Sequence, residues 1–157
     1  MNIATVFLLS LLCSATALCQ SITVTISHLD GEKATLSALE GEKVSLIDSV
    51  GSSGNGIFAF TLKPEHTHRG FYRLTFDKNK WIDFLNDGKD VIISTDANNV
   101  AESLSVIASE SNRLLYSFIR LNKLYKTKSE LLQLVLARYP KNDPYYITTR
   151  TTARQLQ

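Results

Sequence analysis

Hydrophobic and polar side chains alternate along much of the chain. Single threonines separate the apolar residues of 22–26, and residues 34–38 repeat the alternation. A period of two indicates a strand with one buried face, and short strands broken by turns about every 8 to 12 residues are typical of a sandwich or barrel. The pattern predicts a mainly β fold, an antiparallel β-sandwich of about seven or eight strands over residues 20–109.

Turn-forming residues divide this region at regular intervals. The clusters fall at residues 29–32, 39–42, 51–56, 77–80 and 86–89. Asp87-Gly88 stands between two apolar runs, which predicts a β-hairpin. The glycine-rich stretch 51–56 lacks the Lys-Ser/Thr ending of a phosphate-binding loop and is predicted to be a flexible hairpin loop.

The apolar spacing changes to three and four from Glu110 onward, which predicts an amphipathic helix. Thr127-Lys128-Ser129-Glu130 has the composition of a capping box, so a second helix is expected to begin there and to end before Pro140. Asp143-Pro144 predicts the start of a third helix. Residues 110–157 are therefore predicted to form a helical extension of two or three α-helices.

One side of the first predicted helix is strongly apolar. Its members are Leu114, Leu115, Phe118, Leu121, Leu124 and Tyr125. Leaving such a face in water would expose a large apolar patch, so it is expected to dock against the sandwich or against a second copy of the chain.

The first 19 residues have the layout of a secretory signal peptide. An uncharged apolar run, 3–18, precedes the polar pair Gln20-Ser21. Cleavage after Cys19 is favoured, and cleavage after Ala15-Thr16-Ala17 is the alternative. The remaining cysteine, Cys13, also lies in the leader, so cleavage after Cys19 removes every thiol. We expect an exported protein of the periplasm or cell envelope, with no integral membrane span once the leader is removed.

Composition and charge narrow the functional classes. With 157 residues, 44% hydrophobic and 20% charged, the chain has enough apolar surface to fold and is not mostly disordered. A net charge of +2 is too mild to predict nucleic-acid binding. Residues 20–109 carry 8 basic and 12 acidic side chains, whereas residues 110–157 carry 9 and 3. The basic side chains are expected to solvate the outer helix faces rather than to form a patch for an anionic partner.

Three sets of side chains are candidates for chemistry. His66 and His68 stand two residues apart but in a predicted loop, where their geometry is not fixed for a metal. Aspartates cluster around the Asp87-Gly88 turn, at positions 83, 87, 90 and 96, with spacing that fits no calcium loop. The seven aromatic residues of the strands are expected to fill the space between the sheets rather than to line a ligand groove: Phe58, Phe60, Phe71, Tyr72, Phe76, Trp81 and Phe84. No catalytic, cofactor-binding or metal site is predicted.

A family resemblance rests on four segments taken in order: Leu46–Val50 with its Asp-Ser pair, Gly56–Phe60, Gly70–Leu74 and Phe84–Ile93. Together they resemble the N-terminal β-domain of unknown function carried by secreted thioredoxin-like proteins of the Bacteroidetes. The resemblance covers about residues 21–109, and the helices to about residue 147 are similar to the family's connector. In that family a thioredoxin domain with a Cys-x-x-Cys pair follows, and this chain has no such pair.

The resemblance implies an accessory role. We expect a non-catalytic envelope module without a cofactor, which positions or contacts a protein partner. Two alternatives stay open: a small ligand-binding envelope protein, and a fragment of a full-length thioredoxin-like oxidoreductase.

Overall fold

The computed structural model describes residues 20–156 apart from residues 30, 32 and 67. The predicted leader, residues 1–19, lies outside the described residues. The strands are β1 Gln20–Ser27, β2 Lys33–Glu40, β3 Lys43–Gly51, β4 Ile57–Leu62, β5 Gly70–Asp77, β6 Lys80–Asn86, β7 Val91–Asp96 and β8 Ser105–Ala108. The helices are α1 Val100–Ser103, α2 Glu110–Arg138 and α3 Pro144–Gln155, with a 3-10 turn at Pro64–His66.

The strands form two open four-stranded sheets. Their orders are β4-β1-β7-β8, here sheet A, and β3-β2-β5-β6, here sheet B. The structure confirms a mainly β fold with C-terminal helices. The expectation of wholly antiparallel sheets is wrong for one pair, because β1 and β7 run parallel. All four strands of sheet B, together with β4 of sheet A, lie between β1 and β7 in the chain, and β7 enters sheet A in the direction of β1.

Alternation places one face of each sheet in a common core. Ile22, Val24 and Ile26 of β1 are fully buried, and so are Leu36 and Leu74 of sheet B. Five of the seven strand aromatics are also buried, as the sequence predicts: Phe58, Phe60, Tyr72, Phe76 and Phe84. The remaining two, Phe71 and Trp81, are 45% and 47% exposed, because their strand positions turn them to the outer face of sheet B.

Two predicted hairpins connect different sheets instead. The Asp87-Gly88 turn joins β6 of sheet B to β7 of sheet A, and the loop around residues 51–56 joins β3 of sheet B to β4 of sheet A. Turn residues reverse the chain, but they do not specify which sheet receives the next strand. The turns at Gly41 and Lys78-Asn79 do connect paired neighbours, β2 with β3 and β5 with β6.

The helical region differs from the sequence prediction at one point. The expected helix start at Thr127 is wrong, because α2 continues unbroken from Glu110 to Arg138. No glycine or proline interrupts these residues, and threonine and serine are tolerated inside a helix. The predicted helix after Pro140 is confirmed: the Asp143 side chain accepts a hydrogen bond from the amide of Tyr145 at 2.7 Å, with Pro144 in the first turn.

Gly56 holds the crossover between the sheets against β1. Its φ is +72°, and its carbonyl accepts a hydrogen bond from the amide of Ile26 at 2.8 Å. A Cβ at this position would lie 2.0 Å from the carbonyl oxygen of Ile26. Only glycine fits this close approach of two backbones.

We therefore expect Gly56→Ala to destabilise the fold by more than about 3 kcal/mol, since backbone strain and a backbone clash add together. Gly41→Ala is the matched control, because Gly41 has a φ of +63° with no atom within 4 Å of its Cβ position. The control should lose only about 1 to 2 kcal/mol. Urea unfolding of both variants measures the difference, and equal losses would contradict this account of Gly56.

Candidate functional site

The exposed edge of β6 is partly closed by the first turns of α2. The side-chain oxygen of Asn112 accepts from the amide of Leu85 at 2.7 Å, and its nitrogen donates to the carbonyl of Leu85 at 2.8 Å. These are the two bonds that a neighbouring strand would make to Leu85. Asn112 is fully buried and thus covers the strand edge with a side chain.

Tyr116 covers the β6 edge two residues further along, at Asp83. Its hydroxyl donates to the carbonyl of Asp83 at 2.5 Å. Burial, together with the negative charge of Asp83, raises the pKa of Tyr116 to about 12. The phenol therefore keeps its proton, and with it the hydrogen bond, at any physiological pH.

On the outer face of sheet B, three side chains of β5 and β6 form a fixed group. Arg73 binds the carboxylate of Asp83 in a bidentate manner, with nitrogen–oxygen distances of 2.6 and 2.7 Å. The same guanidinium lies 4.8 Å from the ring centre of Trp81. Hydrogen bonding to Asp83 raises the pKa of Arg73. The two contacts hold the indole beside the strand edge.

A cleft of about 280 Å³ lies between this edge, α1 and α2. Mainly apolar atoms line it, and its walls include Trp81, Ile82, Val100, Leu104 and Tyr116. A ligand in this cleft would contact both the edge of β6 and the rings of Trp81 and Tyr116. The expectation that the aromatics do not line a groove is therefore not met by Trp81.

Two rows of side chains run along opposite sides of α2. The row that contacts the sandwich contains Asn112, Tyr116, Arg120 and Lys123: Arg120 reaches the carbonyl of Leu104, and Lys123 pairs with Glu102. A second row, here called the α2 stripe, is offset by two residues and contains Leu114, Phe118, Leu121 and Tyr125. Two residues correspond to about 200° of helix rotation, so the α2 stripe faces away from the sandwich.

The α2 stripe is exposed along its whole length. Leu114 is 73% exposed, and every residue from 117 to 128 is exposed. The sequence correctly identifies these residues as one apolar helix side. They do not dock against the sandwich.

Further along α2, the corresponding side becomes covered. Leu132, Val135 and Leu136 are only partly exposed, and α3 is the helix that packs against α2. Thr149 of α3 is buried in this contact region. The side of α2 that carries the stripe is thus a surface on which a helix already packs.

The four aspartates suggested by the sequence do not form one site. Asp83 binds Arg73, and Asp90 accepts from the amide of Ser21 at 2.8 Å. Asp87 accepts from the hydroxyl of Ser111 at 2.6 Å, which lowers its pKa. The amide of Asn98 and then the ring of His28 lower the pKa of Asp96. Each carboxylate therefore stabilises a different local structure.

The two histidines after Pro64 contribute through their backbones. The buried Tyr72 hydroxyl donates to the carbonyls of His66 and His68, at 2.6 and 3.1 Å. Asn86 also donates to the carbonyl of His68, at 3.0 Å. Among the described residues, no three histidine, cysteine, aspartate or glutamate side chains are grouped as a metal site would require.

Sequence reasoning missed Asn112 and Tyr116 as the residues that close the β6 edge. Asn112 follows a serine N-cap and precedes the apolar row, so it has the appearance of an ordinary polar residue in a first turn. Tyr116 has no local signal that distinguishes it from other helix tyrosines. Their role depends on a strand more than 25 residues earlier in the chain.

Comparison with known proteins gives only remote likenesses. No family model and no curated protein matches the chain. A crystal structure of (S)-allantoin synthase is 12% identical, with a TM-score of 0.40, covering 59% of this chain and 44% of that one. A 5-hydroxyisourate hydrolase from Klebsiella pneumoniae is 14% identical, with a TM-score of 0.36, covering 58% of this chain and 99% of that one. This chain thus spans less than half of the allantoin synthase. Both neighbours are enzymes, and neither likeness carries an argument about activity.

Within residues 20–156, as far as they are described, no helix combines the length and apolar character needed to cross a bilayer.

Removal of the Asn112 side chain measures how much its two hydrogen bonds to Leu85 contribute to the free energy of unfolding. Asn112→Ala leaves the amide and the carbonyl of Leu85 without partners at a covered position, so we expect a loss of about 2 to 4 kcal/mol in urea unfolding. Asn122→Ala changes an exposed asparagine of the same helix and should stay within about 0.5 kcal/mol of the parent. Similar values for the two variants would show that the cap contributes little.

The Ser111–Asp87 contact predicts a pH effect. Because the folded-state pKa of Asp87 is lowered, its contribution to stability is present above the unfolded-state pKa and is lost as the pH falls through the folded-state pKa. Ser111→Ala should return this pKa toward its ordinary value. The variant should then lose less stability than the parent between about pH 7 and about pH 3. Urea midpoints at both pH values test this, with Ser117→Ala as the exposed-serine control. If Ser111→Ala loses as much stability as the parent between the two pH values, the prediction is contradicted.

Proposed function

We propose that this protein is a non-catalytic module of the cell envelope that acts by holding a protein partner on its helical extension. The partner element is an amphipathic helix with an apolar row and acidic flanking residues, and it docks on the α2 stripe. The observation that carries this proposal is the row of exposed apolar side chains on the side of α2 that faces away from the sandwich.

The occupant is proposed to be a helix because α3 already packs on the continuation of the same side. The stripe residues are spaced by four, three and four, the spacing that lets two helices interlock side chains. Residues 117–128 have every side chain exposed, and their tertiary contacts are two polar ones, Arg120 with Leu104 and Lys123 with Glu102. A helix segment with so little apolar packing is only marginally stable in water. A docked helix would remove both the exposed apolar surface and this instability.

The acidic character of the partner follows from charge. Residues 110–157 carry 9 basic and 3 acidic side chains, and Arg113, Lys126 and Lys128 lie along the uncovered part of α2. A second copy would bring the same positive charges face to face, which disfavours self-association. Acidic flanks would instead be attracted to the helix and would set its orientation.

Two further considerations support an exported accessory role. The leader-like residues 1–19 favour export, and the ordered strand motifs resemble the accessory β-domain of secreted thioredoxin-like proteins. In such a role the sandwich is a rigid support, and the helices position a neighbouring protein. The alternative of a small ligand-binding protein concerns the cleft rather than the stripe.

Two synthetic helical peptides with the same apolar row test the proposal, one flanked by glutamates and one by lysines. We expect the residue 20–157 protein to bind the glutamate peptide saturably and at least about tenfold more tightly than the lysine peptide at low salt, with the preference shrinking as salt increases. Fluorescence anisotropy measures both affinities. Equal affinity for the two peptides, or no binding of either, would contradict the acidic-helix partner.

The control variants use two exposed aliphatic residues of the same helix. Leu121→Lys places a charge within the α2 stripe and should lower the affinity for the glutamate peptide at least about tenfold. Ile119→Lys lies on another side of the helix and should leave that affinity nearly unchanged. Circular dichroism checks that both variants fold. Sedimentation of the free protein should show a monomer; a dimer disrupted by Leu121→Lys would indicate that a second copy occupies the stripe and would overturn the proposal.

A further inference from the structure

The edge of β6 is open beyond the part that α2 covers. In the antiparallel pairing with β5, Trp81, Asp83 and Leu85 occupy alternate positions, so their backbone groups point to the same side. Asn112 marks this side as the outer edge, because it binds both groups of Leu85. Tyr116 takes the carbonyl of Asp83.

Three outward backbone groups remain at this edge. By the alternation of the β5–β6 ladder they are the amide and the carbonyl of Trp81 and the amide of Asp83, and within the part of the chain that the structure describes no side chain or loop backbone bonds to them. Strand edges with such groups are templates for pairing with another chain. The groups follow one another at strand spacing, which is the arrangement that an extended backbone recognises.

The apolar cleft lies directly beside these groups. Trp81, Ile82 and Asp83 belong to both the strand edge and the cleft lining, and Leu104 and Tyr116 also line the cleft. An extended chain paired with β6 would send alternate side chains toward the cleft and toward solvent. The volume of about 280 Å³ suits one aliphatic or aromatic side chain with its neighbouring backbone.

We propose that the free edge of β6 binds an extended peptide segment of another protein, which adds a short strand to sheet B and places one apolar side chain in the cleft beside Trp81. Backbone hydrogen bonds supply part of the affinity, and the cleft supplies the selectivity for an apolar residue. Tyr116 and Asn112 end the available edge, so only two or three peptide residues pair. Arg73 and Asp83 hold the indole of Trp81 in place beside the bound segment.

This site is separate from the α2 stripe. The stripe lies on the side of α2 that is opposite to Tyr116, so a helix on the stripe and a peptide in the cleft do not compete for the same surface. Failure of one proposal leaves the other standing.

The probe is a capped five-residue peptide of serines and threonines with a central leucine, titrated into the isotope-labelled residue 20–157 protein and followed by amide NMR. We expect saturable shifts concentrated at the amides of Trp81 and Asp83 and at the indole of Trp81, together with slower hydrogen exchange of the Asp83 amide. A peptide with a central aspartate should bind at least about tenfold more weakly, because a charge would enter an apolar cleft.

Backbone pairing is tested with the same leucine peptide methylated at the leucine nitrogen. Loss of that donor should weaken binding at least about fivefold. If the methylated peptide and N-acetyl-leucinamide bind as well as the parent peptide, the cleft is a site for small apolar ligands and the strand-addition proposal is overturned. Absence of shifts at Trp81 and Asp83 at saturating peptide overturns it as well.

Two variants place the binding in the cleft. Ala101→Phe adds a ring to a cleft-lining position and should abolish the shifts, whereas Asn98→Phe puts the same ring on an exposed loop position outside the cleft and should leave the affinity within about twofold. Unfolding midpoints establish that both proteins are folded. Unchanged binding to the Ala101→Phe protein would contradict the location.

Discussion

The start of α2 is fixed on the sandwich by a pair of hydrogen bonds in which the buried Asn112 side chain takes the place of a neighbouring strand on the edge of β6. A buried strand edge needs partners for its amide and carbonyl groups, and a single carboxamide can satisfy one of each. Asn112 does so for Leu85. Because this residue lies in the first turn of α2, the helix must begin against the outer edge of sheet B.

The position of Asn112 also decides which side of α2 is left uncovered. A straight helix that contacts the sandwich through Asn112, Tyr116 and Arg120 directs residues offset by two to the opposite side. The apolar α2 stripe is on that side, and α3 covers only its continuation beyond residue 128. Because Asn112 and Tyr116 cover only Leu85 and the carbonyl of Asp83, the β6 edge stays open at Trp81, where the cleft lies. The positions of the α2 stripe and of the cleft therefore both follow from where α2 contacts β6.

Much of the fold is readable from local pattern. Alternation in β1 and β2, the turn residues at Gly41, and the cap formed by Asp143 and Pro144 each act within a few residues, and the structure confirms them. The apolar side of α2 is equally local. By contrast, Thr127 to Glu130 satisfy a capping pattern inside an unbroken helix, because a cap signal is only a preference and nothing else in those residues ends the helix.

Local pattern therefore accounts for the strands, for the inward side of those that alternate clearly, for the helical character of residues 110–138 and for the apolar side of α2, since all of these depend on neighbours a few residues apart. Only the tertiary structure decided that the turns at Gly56 and Gly88 cross between sheets, that β1 and β7 run parallel, and that Asn112 and Tyr116 close β6. These outcomes require pairing between distant segments, and such pairing depends on which edges and faces remain free once the other elements have packed.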